Sequence, residues 1–184
     1  SVTHTLRFGI FQVVSVVTST GFGISDFSVW PLMLPILLMF ISFVGGCAGS
    51  TAGGMKVIRL VVLAKQAGIE VKRLVHPNLV RPLTMDGKTV PNKIVQTVWA
   101  YFAIYVSAFA VLMLLLMQGG MDQLTAFSAV TTCLNNLGPG LGEVSANFVT
   151  VTAIQKWMLS GAMLLGRLEI FTIFVIFTPA FWKA

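Results

Sequence analysis

The sequence predicts an all-α integral membrane protein with an internal repeat, on three observations. Of its 184 residues, 56% are hydrophobic and 10% charged, and the mean hydropathy is +0.89. A soluble domain carries about 25% charged residues, so this chain has too few to cover a water-soluble globule. Residues 94–117 run for 24 positions without a charge, enough for the roughly 20 apolar residues a bilayer core requires. Two glycine-rich loops, each between a half-length and a long apolar run, recur at an offset of 117 residues. Disorder is excluded, since it needs low hydrophobicity and high charge. Two cysteines, Cys47 and Cys133, are too few for a disulfide scaffold and read as small membrane-buried residues.

The first apolar run, 8–17, is followed by Thr18-Ser19-Thr20-Gly21-Phe22-Gly23. At about 1.5 Å per residue it crosses half of a bilayer core. It fits two readings equally: a re-entrant helix and loop, or an ordinary buried helix with a glycine cap. Residues 30–44 begin a longer segment, with Pro31 suited to a helix start and Pro35 placed to bend it. Five glycines then fall within 45–54. A straight helix from Trp30 to Lys65 would be about 54 Å long, so a break at the glycines is expected. Broken backbone at membrane depth survives only beside protein or a water-filled cavity.

Residues 66–93 are polar and basic and contain Pro77, Pro82 and Pro91, which reads as a connection with room for a short interfacial helix near Gly68–Leu74. Eight of the 12 Lys and Arg residues lie between Lys56 and Lys93, the positive-inside signal of a cytoplasmic loop. Nucleic-acid binding is set aside, because no basic-aromatic interleaving or known module accompanies the charge. Helix 94–117 follows and ends at Gly119-Gly120. A half-length run from Asp122, a plausible N-cap, to Thr132 leads into Leu134-Asn135-Asn136-Leu137-Gly138-Pro139-Gly140-Leu141-Gly142. Residues 149–182 form a last apolar segment interrupted by Gly161, Gly166, Arg167 and Glu169.

At the offset of 117, Gly21 falls opposite Gly138, Asp26 opposite Glu143, Ser28 opposite Ser145, and Gly49 opposite Gly166. With loop 66–93 in the cytoplasm, both short runs dip in from outside and Lys183 lands inside. The unit is then helix, re-entrant helix and loop, helix, the plan of a potassium-channel subunit. Loops with few bulky side chains can turn carbonyl oxygens inward to replace a cation's hydration shell. The C-terminal ends of both short helices add partial negative charge. Neither loop holds a carboxylate, which favours a weakly hydrated monovalent cation over calcium.

Jointly, Thr18–Phe22, the Gly45–Gly54 run into Met55-Lys56, Asn135–Gly140, Gly166-Arg167-Leu168-Glu169 and Thr178-Pro179-Ala180-Phe181-Trp182 resemble the Trk/Ktr/HKT potassium-transporter superfamily, in particular its bacterial TrkH/TrkG membrane subunits. The resemblance spans essentially the whole chain. It implies four M1–pore helix–filter loop–M2 repeats around one pore. Residues 1–65 would be the third repeat without its M1 but with a broken M2. Residues 66–93 would be the cytoplasmic connection, and 94–184 the fourth repeat. It implies potassium uptake across the bacterial inner membrane, with K+ as transported ion and no covalent cofactor. Membrane lipid, a homodimer and a cytoplasmic nucleotide-binding regulatory subunit of the TrkA kind are the implied partners. The implied filter is Ser19, Thr20, Gly21 and Phe22 with Asn136, Leu137 and Gly138. Leu137-Gly138-Pro139 departs from a Thr-x-Gly pattern and implies an asymmetric filter. The chain begins with Ser1 and lacks a signal-peptide pattern, which reads as a cut inside a longer protein.

Arg167 sits about midway along 149–182, where a charge costs about 2.5–3.5 kcal/mol on insertion scales and usually faces an interior or water. The offset pairs it with Ser50. A gate is therefore expected from Gly45, Gly46, Gly49, Ser50, Thr51, Gly53 and Gly54, with Arg167 hydrogen-bonded to that loop and opposing cation flow until the loop moves. Glu169 points to another face and is a poor partner. Gly49–Lys56 echoes a phosphate-binding loop but has Met55 before its lysine and no Ser or Thr after it. Cys47, Cys133, His4 and His76 lack metal-ligand spacing, and Lys156 reads as snorkelling. Two other readings stay open: a sodium-coupled or sodium-permeable relative, and a membrane-embedded enzyme or assembly subunit. No nucleophile–base pair is visible, so the reading adopted is not an enzyme.

Overall fold

Glycine and proline punctuate this chain between its helices. The computed structural model describes all residues except Ser1, 25–26, Leu32, Ala48, 51–52, Ala146, 169–174, 176–181 and 183–184. Asp26, Thr51, Glu169, the 178–181 part of the C-terminal motif and Lys183 therefore lie outside the described residues.

Helix α1 spans Val2–Val17. At 16 residues it exceeds the expected 8–17, because backbone hydrogen bonding carries it back through the exposed polar turn Thr3–Arg7. Helix α2 is Leu34–Val44. It starts three residues after Pro31, so Pro35 falls in the first turn, where a missing N–H costs nothing and no bend follows. Gly45, at φ 67°, ends it. The expected break is present, and helix α3 resumes at Val57.

Helix α3 continues to Val75, so the first ten residues of the expected polar connection are helical. Lys65, Gln66, Ala67, Glu70, Lys72 and Arg73 are strong helix formers that outweigh Gly68, and Lys72 and Arg73 in the last turn complement the helix dipole. The short helix expected near Gly68–Leu74 is thus the second half of α3. A small hairpin follows, β1 Thr84–Met85 paired antiparallel with β2 Lys88–Thr89. Its turn residues Asp86 and Gly87 both have positive φ, 48° and 76°, as a type I′ turn requires. Lys65 Nζ donates to the Thr84 carbonyl at 3.1 Å and ties the hairpin to α3.

Helix α4, Asn92–Gln118, matches the expected span, and among the described residues it is the one helix long and apolar enough to cross a membrane. Helix α5, Gln123–Leu134, begins where expected: Asp122 accepts from Leu124 N at 3.1 Å. Nine of its 12 residues are buried, so it is the short central helix of the fold, walled by α2, α4 and α6. Helix α6, Ala153–Arg167, opens with a capping box between Thr152 and Gln155. The buried Gln155 also donates to the Leu116 and Gly119 carbonyls at 3.3 and 3.2 Å, closing the end of α4. Gln155→Leu would take its side-chain donor from both carbonyls, while the Leu116 carbonyl keeps the Met121 N–H at 3.2 Å. A loss of about 1–2 kcal/mol is expected, read as a lower melting temperature of the purified protein.

The short helices α1 and α5 end alike. Thr18, Ser19 and Thr20 N donate to Val14, Val16 and Ser15 carbonyls at 3.0, 3.2 and 2.9 Å. Asn135, Asn136 and Leu137 N donate to Thr131, Cys133 and Thr132 carbonyls at 3.0, 3.2 and 2.8 Å. Each donor and acceptor is displaced by the same 117 residues. Ser19 and Asn136 both adopt left-handed backbone, φ 53° and 52°, as do Gly21 and Gly138, φ 79° and 102°. At these two helix ends the 117-residue spacing is matched in hydrogen bonds and dihedral angles.

Candidate functional site: two glycine loops and the base of α5

The two loops touch. Gly138 would place a Cβ 3.7 Å from the Gly21 Cα, and a Cβ on Gly21 would overlap the Leu137 carbonyl oxygen. Leu137 brings this about. Its side chain is buried in the cluster of Val16, Leu38 and Met39 between α1 and α2, so its backbone is held against Gly21. Around the first loop the Thr18 and Thr20 hydroxyls lie 2.7 Å apart, and Thr18 Oγ1 donates to the Val14 carbonyl at 2.7 Å. Ser15 Oγ donates to the Phe22 carbonyl at 2.7 Å, while the Phe22 ring is 71% exposed. Beyond the second loop, α5 supplies acceptors: Ser128 Oγ takes Leu141 N, and Thr125 Oγ1 takes Glu143 N at 3.4 Å. Of the named filter residues, the structure thus brings Gly21, Leu137 and Gly138 into direct contact, with Ser19 and Asn136 at equivalent turns.

The segment 45–56 folds back on itself. Met55 N donates to the Phe43 carbonyl at 3.0 Å and Val57 N to the Gly46 carbonyl at 3.1 Å, pinching its two ends together. Glycine is needed at this pinch. A Cβ on Gly45 would overlap the Gly53 carbonyl, and one on Gly54, at φ 82°, would lie 2.9 Å from the Ser42 carbonyl. The outer part, with Cys47, Gly49 and Ser50, is exposed. Ser50 N donates to the Cys47 carbonyl at 3.0 Å at this tip, where Cys47 is exposed on the chain's surface, while Cys133 is buried within the protein.

Both the loop and α6 press on the same end of α5. A Cβ on Gly53 would overlap the Asn135 carbonyl, and one on Gly166 would overlap the Leu134 carbonyl. Asn136 Nδ2 donates to the Met163 carbonyl of α6 at 3.2 Å. Arg167, the last residue of α6 and exposed, follows Gly166 directly. The C-terminal end of α5, its partial negative charge included, is thus bordered by the glycine loop on one side and the Arg167 segment on the other. Lys156 donates to the Val149 carbonyl at 3.2 Å, capping a loop.

Sequence reasoning missed the polar chain that holds this end in place. Tyr105 of α4 donates to Asn135 Oδ1, Asn135 Nδ2 donates to Ser42 Oγ at 2.8 Å, and Ser42 Oγ donates to the Met39 carbonyl at 2.6 Å. All three side chains are buried. The available signal was a tyrosine and a serine inside uncharged helices, where each hydroxyl must find a partner. Which partner each finds is a question of tertiary packing.

A family described as "TrkH: Cation transport protein" matches residues 1–184. The chain is 53% identical over 175 residues to the "Trk system potassium uptake protein TrkH" of Vibrio parahaemolyticus, covering 95% of this chain and 36% of that protein. It is 48% identical over 179 residues to the Escherichia coli protein of the same name, covering 97% and 37%. To the Escherichia coli "Trk system potassium uptake protein TrkG" it is 37% identical over 175 residues, covering 95% and 36%. The crystal structure of the potassium transporter TrkH from Vibrio parahaemolyticus superposes with a TM-score of 0.91 at 51% identity, covering 99% of this chain and 39% of that one. The chain therefore spans little more than a third of the length of the relatives it matches.

Proposed function

Because this chain belongs to the TrkH family of cation transport proteins, we propose that it forms most of the third quarter and the fourth quarter of a potassium uptake path across the bacterial inner membrane. The observation that carries this is the contact between the loops at Gly21 and Gly138, at the ends of two short helices with matching hydrogen bonds. In this reading α1 and α5 are pore helices, α4 is the M1 of the fourth repeat, and α2 with α3 is a broken M2. Backbone carbonyls near Gly21 and Gly138 strip and coordinate K+. Helix dipoles aim partial negative charge at the ion. Loop 66–93 and the C-terminus face the cytoplasm, consistent with the basic residues gathered there. The relatives are named as parts of a Trk system. A homodimer and a TrkA-like cytoplasmic nucleotide-binding subunit belong to the same proposal.

The loop 45–56 serves as gate. Its pinched base and exposed tip support a movable flap against the end of α5. Arg167, at the same end of α5, opposes cation entry while the flap is closed. Arg167→Ala in the full-length protein is expected to raise closed-state ion leak; an unchanged leak overturns the gate.

The filter is tested by rubidium and sodium uptake through the full-length protein in a potassium-uptake-deficient strain. Gly21→Ser strains a left-handed residue and overlaps the Leu137 carbonyl, whereas Gly138→Ser strains the backbone only. At roughly 1–2 kcal/mol for the strain alone, both lose preference for rubidium over sodium, and Gly21→Ser loses more uptake. Selectivity retained in both variants would sink the filter assignment.

A further inference from the structure

A cavity of about 260 Å³ lies between α3 and the stretch before β1, well away from the two loops. Lys65, Lys72 and Arg81 line it, together with Gly68, Ile69 and Leu83, and none of its lining residues is acidic. Lys65 and Lys72 are seven residues apart and so share one face of α3. Gly68 between them leaves open space, since a Cβ there would meet nothing within 4 Å. The nearby Glu70 faces elsewhere, paired with Arg73 at 2.9 Å. Lys65 spends one proton on the Thr84 carbonyl, which braces the far wall, and its ammonium has two more to donate.

Three cations with no acidic residue among the described lining call for an anion, and position says which one. The cavity sits past the apolar turns of α3 and just before the polar start of α4 at Asn92, at the level where a membrane-spanning α4 meets the headgroups. The large apolar side chains Val71, Leu74, Val75 and Val80 are 63%, 84%, 70% and 93% exposed beside it. That mixture of apolar and cationic side chains is the pattern of an interfacial element. The volume falls below the roughly 300–1,000 Å³ of drug-sized ligand sites, so it fits a phosphate and glycerol rather than a whole nucleotide.

We propose that this cavity binds the phosphate headgroup of an anionic phospholipid, its glycerol against Ile69 and Leu83. The inference rests on the membrane seating proposed above and is independent of the ion path.

Delipidated full-length protein is titrated with short-chain phosphatidylglycerol, short-chain phosphatidylcholine and inorganic phosphate, with bound lipid counted by native mass spectrometry. Phosphatidylglycerol is expected to bind in preference to phosphatidylcholine. At the strength of one basic residue at a membrane surface, Lys72→Gln weakens it about fivefold. Arg73→Gln removes the same charge outside the cavity and leaves binding unchanged. Gly68→Leu fills the cavity, keeps every charge, and abolishes binding. Equal binding of the two lipids, full binding by Gly68→Leu, or binding of inorganic phosphate without the lipid each overturns the proposal. Rubidium uptake is read separately, so failure of the transport reading does not mimic failure here.

Discussion

Gly166→Ala is expected to destabilise the protein by about 3 kcal/mol, at the top of the usual range for overpacking. The added methyl would fall on the Leu134 carbonyl, with the Asn136 amide nitrogen at 2.9 Å. A backbone carbonyl at a buried helix end cannot swing aside as a side chain can, so α6 must move away from α5. Gly161→Ala in the same helix is the control: nothing lies within 4 Å of its Cβ, and the gain in helix propensity predicts up to about 1 kcal/mol of stabilisation. Opposite shifts in melting temperature would establish the contact; equal shifts would refute it. Gly53→Ala presses the Asn135 carbonyl from the loop side. It is expected to unseat the loop and raise closed-state rubidium leak, with a smaller effect on melting.

Asn135→Leu is expected to cost about 2 kcal/mol and to impair transport. The substitution strands the buried Tyr105 hydroxyl and takes the Asn135 donor from Ser42 Oγ, which keeps its own bond to the Met39 carbonyl. An unsatisfied buried group costs about 1–3 kcal/mol, tempered in membranes because the unfolded chain finds other partners there. Tyr105→Phe removes one donor and leaves Asn135 with its Ser42 bond, so about half the loss is expected. The double variant Tyr105→Phe, Asn135→Leu should cost less than the sum of the singles. Strict additivity in that cycle would show that the hydrogen bond contributes nothing.

Much of this fold is legible locally. Asp122 caps α5, Gly119-Gly120 close α4, and the glycines after Val44 break the helix, because each acts on backbone within a few residues. The Asp86-Gly87 turn carries an equally local signal, set among prolines and charges. Two boundaries were less legible. Hydropathy changes at residues 8 and 65, but the helices run through both, since polar and apolar residues hydrogen-bond their backbone equally well.

Composition and the 117-residue offset by themselves determined the membrane class and the identity of the two paired glycines. Only the tertiary structure decided that those glycines touch and that Gly53 and Gly166 close on the same end of α5. It alone joined Tyr105, Asn135 and Ser42, residues up to 93 positions apart. The reason is physical: spacing along a chain governs which face of a helix a residue occupies, while the partner of that face depends on how buried volume is filled by every other helix at once.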